Sequence, residues 1–255
     1  MPLFYLRRLT GRDRDPVANR ELARYLAFVA GATNAGGYLA VAQYTSHMTG
    51  IVSTAADNLA LGNITLVLAA FGSLLSFMVG AACSAVMINW ARRRGLHSQY
   101  ACPLVVEAAL LMVFGLIGGN LDRHMGLFVS ATVMLLCFIM GLQNAMITKL
   151  SKAEIRTTHV TGMVTDIGIE LGKLLYWNSA HHTKLHGAVQ ADPAKMKLLS
   201  SLLGMFFSGG VLGALGFKHL GFISTLPLAI LLLALAIVPV ADDLAQWFKP
   251  RQTGK

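Results

Sequence analysis

No charged residue falls between positions 64 and 90, between 125 and 148, or between 198 and 217. Uncharged apolar runs of about 18 residues or more mark helices that cross a bilayer, because about 20 residues at 1.5 Å each span the hydrocarbon. Runs at 25–44 and 219–240 are similar, and 101–119 carries one charge, Glu107. The chain is 55% hydrophobic and 13% charged, about half the charged share of a soluble domain. It reads as an all-α integral membrane protein.

The net charge of +9 does not point to nucleic acid. The Lys and Arg residues gather at the ends of the apolar runs, where membrane topology puts them, and leave no basic surface interleaved with aromatics. The first 24 residues, MPLFYLRRLTGRDRDPVANRELAR, are too charged for a secretory signal, so the first apolar run reads as a retained anchor. Cys83, Cys102 and Cys137 all lie in apolar runs, and an odd set of such thiols reads as core rather than as a disulfide framework.

The chain repeats itself. TSHMTG at 45–50 returns as TTHVTG at 157–162, and GATNA at 31–35 resembles GLQNA at 141–145. The Asn-to-His spacing is 13 in the first copy and 15 in the second. Each hexapeptide opens a moderately polar helix, IVSTAADNLALGN or MVTDIGIELGK, expected to stop at its late Gly. Two strongly apolar helices follow each. The expected domains are a cytoplasmic Arg-rich tail (1–24), membrane repeat 1 (25–119), membrane repeat 2 (120–240) and a cytoplasmic tail (241–255).

Charge counting sets the number of crossings. If the hexapeptide helices span, seven of the 21 basic residues fall outside: Arg92, Arg93, Arg94, Lys149, Lys152, Arg156 and Lys218. If those helices dip in and return, only Arg123 and Lys218 do. The positive-inside bias favours the second arrangement. It gives six transmembrane helices as two inverted three-helix repeats, each with an extra short HxTG helix, and both termini in the cytoplasm. Inverted repeats with interrupted helices recur among transporters.

A Ser/Thr-rich stretch ending in Gly suits backbone that turns within a membrane. Thr49 or Thr161 can cap a first turn, and Gly50 or Gly162 admits a close approach. The exposed N–H groups of a helix start favour an anion. His47 and His159 sit just before, with a side chain that titrates near neutral pH. Asp57 and Asp166 lie within about 40° of the Gly of their own helix, and Glu170 follows one turn later. A His with a carboxylate can carry protons or bind cations. Close helix packing also accounts for repeated Thr and Gly.

Glu107 is either functional or snorkels to an interface. Asn34 and Asn144 either bond between helices or touch a solute. Gly115 with Gly119, and Gly209 with Gly213, fit small-xxx-small packing. Pro227 and Pro239 mark a kink or an end. His182 and His186, four apart beside His181, have a metal-ligand spacing, but no carboxylate or Cys is fixed beside them and a solvated loop is the simpler reading.

The segment NxxGYL…HMTG and the stretch GLQNAM…IRTTHVTGMVTDIGIELG resemble the YoaK-type bacterial inner-membrane proteins, a family of unknown function with six predicted crossings. The match is closest at 141–172. The first segment departs at Gly36 or Gly37 and at His47, which puts more weight on His159. The resemblance implies a multi-pass bacterial inner-membrane location and a six-helix fold, and no substrate.

The expected function is a small-molecule or ion secondary transporter with its site at the two HxTG helix starts. The site set is His47, Thr49, Gly50, Asp57, His159, Thr161, Gly162, Asp166, Glu170, Asn34, Asn144 and Glu107. The alternatives are a membrane-embedded enzyme and a non-transporting sensor or assembly partner. No catalytic residue, metal or cofactor is expected, and GxxxxGK[ST] is absent. The expected partners are the lipid bilayer and an unknown small molecule or ion, with no nucleic acid. A homodimer is compatible with the small-residue patterns.

Overall fold

The computed structural model describes residues 2–11, 15–119, 125–151, 155–177 and 188–247. Among them are nine α-helices and no strand. In chain order these are α1 (Pro2–Thr10), α2 (Pro16–Val41), α3 (Met48–Ala60), α4 (Ile64–Arg93), α5 (Ala101–Gly118), α6 (Met125–Leu150), α7 (Val160–Leu175), α8 (Pro193–Leu220) and α9 (Thr225–Trp247), with a 3-10 turn at Gly221–Ser224 before α9. Among the described residues, four stretches are long and apolar enough to cross a bilayer: Ile64–Arg93, Ala101–Gly118, Val129–Leu150 and Pro193–Trp247. The last holds α8, the 3-10 turn and α9. These are the helices of a membrane protein. The apolar run at 25–44 is helical only to Val41, and α2 begins with Arg20, Glu21 and Arg24. That is the physical reason α2 is not a fifth such stretch.

Local chemistry explains where the long helices begin. Asp15 accepts a bond from Ala18 N at 2.6 Å, and Pro16 occupies the first turn of α2. Asp192 accepts from Ala194 N and Lys195 N at 3.0 Å, ahead of Pro193 in α8. A capping carboxylate satisfies the free N–H groups of a helix start, and Pro lacks the N–H that would be left over. Gly62, at φ +75, ends α3 in a left-handed conformation. The second copy behaves otherwise: α7 continues through Gly172 to Leu175.

Two helix pairs form the centre, α2 with α8 and α4 with α6. Both run parallel. Arg24 bonds Ser201 while Gly36 meets Phe217; Ser76 bonds the Met134 carbonyl while Lys149 bonds Asn89. Each pair is locked by two glycines. Gly31 sits against the Phe206 carbonyl and Gly209 against the Phe28 carbonyl. In the other pair, Gly141 sits against the Phe77 carbonyl and Gly80 against the Phe138 carbonyl. Within a bilayer, lipid is as apolar as Leu, so helices associate through close packing, and a missing Cβ brings the backbones together. Three of the four small-residue positions work in this way: Gly209 as above, Gly213 on Ala32, and Gly115 on Thr225 and the Phe222 carbonyl, whereas Gly119 meets only its own helix.

α5 and α9 run antiparallel, joined at one end by Ser98 and Asp243 and at the other by Gly115 and Thr225. Phe114, Phe217 and Phe222 fill that second end, with ring centroids 5.5 to 6.0 Å apart. α1 folds back on the bundle. Arg7 makes a two-pronged bond to Asp242 at 2.6 and 2.7 Å, and the Thr10 hydroxyl bonds the Leu235 carbonyl at 2.6 Å. Asp242 therefore holds the Arg7 guanidinium above its ordinary pKa. Pro227 lies in the first turn of α9, and Pro239 lies inside it. None of the three cysteines forms a disulfide.

Candidate functional site

After α2 the chain reverses. Ala42 takes a left-handed turn, at φ 53, and the next residues run back along the helix. Ser46 then meets Asn34, donating to its Oδ1 from Oγ at 3.0 Å and from the backbone N at 3.4 Å. After α6 the chain does the same. Thr158 reaches back to Asn144, donating from Oγ1 to Oδ1 at 2.6 Å. The two Asn residues thus hold the two hexapeptide loops against the helices that precede them.

Each hexapeptide breaks at its His. His47 has φ −92 and ψ 72, and His159 has φ −86 and ψ 60. The helix starts at the next residue in both cases. Thr49 and Thr161 therefore lie inside the first turn and do not cap it, because the helices begin earlier than the Thr positions suggest. Neither start has a side-chain cap. The imidazole folds over the turn instead. A Cβ on Gly50 would lie 2.5 Å from His47 Nδ1, and one on Gly162 would lie 2.5 Å from His159 Nδ1. The close approach that each glycine permits is made by the chain's own histidine.

Both loops open on one cavity of about 830 Å³. Ser46, His47 and Thr49 line it from the first loop; Thr158, His159 and Thr161 line it from the second. Asn34 and Asn144 line it as well, with Phe77 and Phe206, the residues whose carbonyls face the locking glycines. Arg156 stands in the wall beside His159. A second cavity of about 380 Å³ adjoins the first, sharing Arg156, His159 and Thr161 and adding Gly162 and Asp166.

The structure thus brings Asn34, His47, Thr49, Asn144, His159 and Thr161 to one place, with Gly50 beneath His47 and Gly162 lining the adjoining cavity. It places the acids elsewhere. Asp57 is on the exposed face of α3 and does not line the cavity. Asp166 lies 3.5 Å from Lys195 Nζ. Glu170 is buried and ties the last turn of α7 to the start of α8, accepting from Lys173 Nζ at 2.8 Å and from Asp192 N at 2.7 Å. Those bonds, Lys173 first, hold its carboxyl below the usual glutamate range. Glu107 is fully buried in α5, and neither carboxyl oxygen has a partner among the described residues.

Sequence reasoning missed Arg156, which serves there only as a topology marker, and Ser46 and Thr158, the partners of the two Asn. Arg156 immediately precedes the second hexapeptide, and that adjacency was the available signal. His181, His182 and His186 lie outside the described residues. Among the described residues no group of three or more His, Cys, Asp or Glu is arranged to hold a metal ion.

No curated protein and no solved structure matches the chain. Residues 22–238, which include both hexapeptides, both Asn anchors and all four locking glycines, match the model of a protein family of unknown function, DUF1275, and the chain belongs to that family.

Proposed function

We propose that this protein is a secondary transporter of a small polar solute, which binds between two inverted units at the starts of α3 and α7. The observation that carries the reading is the single cavity reached by both hexapeptides, about 110 positions apart in the chain. A solute site shared between repeats, at the ends of short helices, is a recurrent transporter arrangement.

The packing supports the inverted repeat. Exchanging the units turns the α2–α8 pair into the α6–α4 pair, and the glycine locks correspond residue for residue: Gly31 with Gly141, Gly209 with Gly80. Charge supports the topology. The start of α2, the ends of α4 and α6, the starts of α5 and α8 and the end of α9 share one end of the bundle. Of the described Lys and Arg residues, Lys218 alone lies at the opposite end and Arg156 at the cavity. By the positive-inside bias the basic end faces the cytoplasm of a bacterial inner membrane. The chain then crosses six times, and α3 and α7 enter from opposite sides and return.

The test is solute flux into proteoliposomes holding the full chain, loaded with a mixture of polar metabolites and read by mass spectrometry. Wild type accumulates or releases at least one solute, and the double variant Asn34→Leu, Asn144→Leu does not. A wild-type protein that moves no solute in either direction overturns the reading.

A further inference from the structure

The charge around the cavity points to the class of its solute. We infer that the cavity between the hexapeptides binds a small oxyanion, an inorganic one or a carboxylate; the inference rests on the transport reading above and names its substrate.

The first ground is fixed charge. Among the described residues, Arg156 is the one formally charged side chain lining the cavity, and no carboxylate lines it. The nearest acids of the two hexapeptide helices are withdrawn: Asp57 points to the exterior of α3, and Asp166 lines the adjoining cavity 3.5 Å from Lys195. A cavity with a guanidinium and no counter-charge favours an anion, and guanidinium pairs with planar oxyanions in a two-pronged way.

The second ground is an excess of donors over acceptors. Asn34 lines the cavity with its Oδ1 occupied by Ser46, and its Nδ2 has no partner among the described residues. The N–H groups of Thr49 and Gly50, and of Val160, Thr161 and Gly162, also have no acceptor among the described residues. Such a set of free donors at the helix starts matches a ligand that offers acceptors. An oxyanion supplies several acceptor lone pairs at once, and the uncapped ends of α3 and α7 add their positive dipole ends. A cation would find hydroxyl and amide oxygens there, but among the described residues no carboxylate to offset the charge of Arg156. A neutral sugar would leave Arg156 unpaired.

The experiment is a binding titration on the full-length detergent-purified protein at constant ionic strength. Sodium acetate, sulfate and phosphate are compared with glycerol and choline chloride, with the thermal midpoint and isothermal heat as readouts. At least one oxyanion is expected to bind. Arg156→Gln should weaken it roughly tenfold or more, the effect of one charge-assisted hydrogen bond, while Arg156→Lys retains part of the affinity. Asn34→Asp keeps the acceptor for Ser46 and places a carboxylate in the cavity, so it should abolish oxyanion binding. All variants are checked for a wild-type midpoint without ligand.

Oxyanion binding that is unchanged in both Arg156→Gln and Asn34→Asp overturns the inference. Binding of glycerol or choline alone, lost in the double variant Asn34→Leu, Asn144→Leu, overturns the anion class and leaves the transport reading standing. No binding by any probe overturns the inference, and the flux assay then decides the transport reading separately.

Discussion

At the start of α3, His47 folds over Gly50 and Ser46 bonds Asn34; at the start of α7, His159 folds over Gly162 and Thr158 bonds Asn144. Beyond the first turn the two helices differ. α3 carries one acid, Asp57, exposed and with no ion pair to it among the described residues. α7 carries two, Asp166 against Lys195 and Glu170 against Lys173 and the Asp192 backbone. α3 packs an apolar face on α4 through Ile51, Ala55 and Ala70, whereas α7, which buries Met163 in the core with Leu198 and Leu199 of α8, adds polar bonds to that neighbour. What the two copies share surrounds the cavity. What they do not share attaches each helix to its own neighbour. The two hexapeptides share the geometry at the helix starts, and the attachments of the two helices differ.

The sharpest test of that equivalence lies in the glycine locks. Gly31→Ala and Gly141→Ala each drive a Cβ into a main-chain carbonyl of the partner helix. Overpacking against backbone that cannot yield costs about 1–3 kcal/mol and occasionally more. Both variants should sit at the upper end of that range, and within experimental error of each other, in detergent unfolding. A large loss in one and none in the other breaks the equivalence of the two pairs.

The Asn anchors come next. Asn34→Leu and Asn144→Leu each remove a loop tether and leave a hydroxyl without its acceptor, which costs about 1–2 kcal/mol. Equal losses sharpen the comparison. The side chains differ in one respect: Asn144 also donates to the Met140 carbonyl at 2.8 Å, so any inequality should make Asn144 the more damaging site.

Glu170 tests the divergent half. Its folded-state pKa lies below the ordinary value, with the Lys173 bond as the main cause. A depressed carboxyl contributes stability above its unfolded-state pKa and loses it as pH falls through the folded-state value. Glu170→Gln should therefore lower the thermal midpoint at neutral pH and flatten the acid side of the stability profile. No such change is expected for Asp57→Asn, its nearest counterpart in the first copy.

How much of this was legible in the sequence depends on how local the cause is. The apolar runs place α4, α5, α6, α8 and α9, because burial in a bilayer needs only length and the absence of charge. The repeated hexapeptide marks both helix starts, and the Asn-to-His spacing marks both tethers. The partners of those Asn residues were not visible, since a Ser in one copy and a Thr in the other become equivalent only once the chain turns back. The role of Glu170 was hidden for a related reason. Its spacing puts it one turn after Asp166, but its main ligand besides Lys173 is a backbone N–H 22 residues further on. The first 24 residues read as a tail, while α1 pairs Arg7 with Asp242 across 235 positions. Long-range pairing of single charges leaves no periodic trace. The helices start at Met48 and Val160, two residues before the positions that Thr49 and Thr161 as caps imply, because Thr is a common cap and a histidine folded over a glycine is not a pattern that spacing reveals.

The smallest expected effect on stability separates the two aspartates. Asp166 and Lys195 are 42% and 43% exposed in their side chains, and an exposed pair at that distance contributes about 0–1 kcal/mol. Asp166→Asn should therefore fold with a midpoint close to wild type, and so should Asp57→Asn. Their transport phenotypes should differ. Asp166 lines the cavity that adjoins the central one through Arg156, His159 and Thr161, so under the proposed transport function its charge would act on a solute there. Asp57 lines neither. Flux that falls in Asp166→Asn and stays at the wild-type level in Asp57→Asn makes α7 the side from which charge controls the site. Equal flux in both variants would mean that the acids of α7 serve only its attachment to α8, and that Arg156 and the helix starts alone set the electrostatics of the cavity.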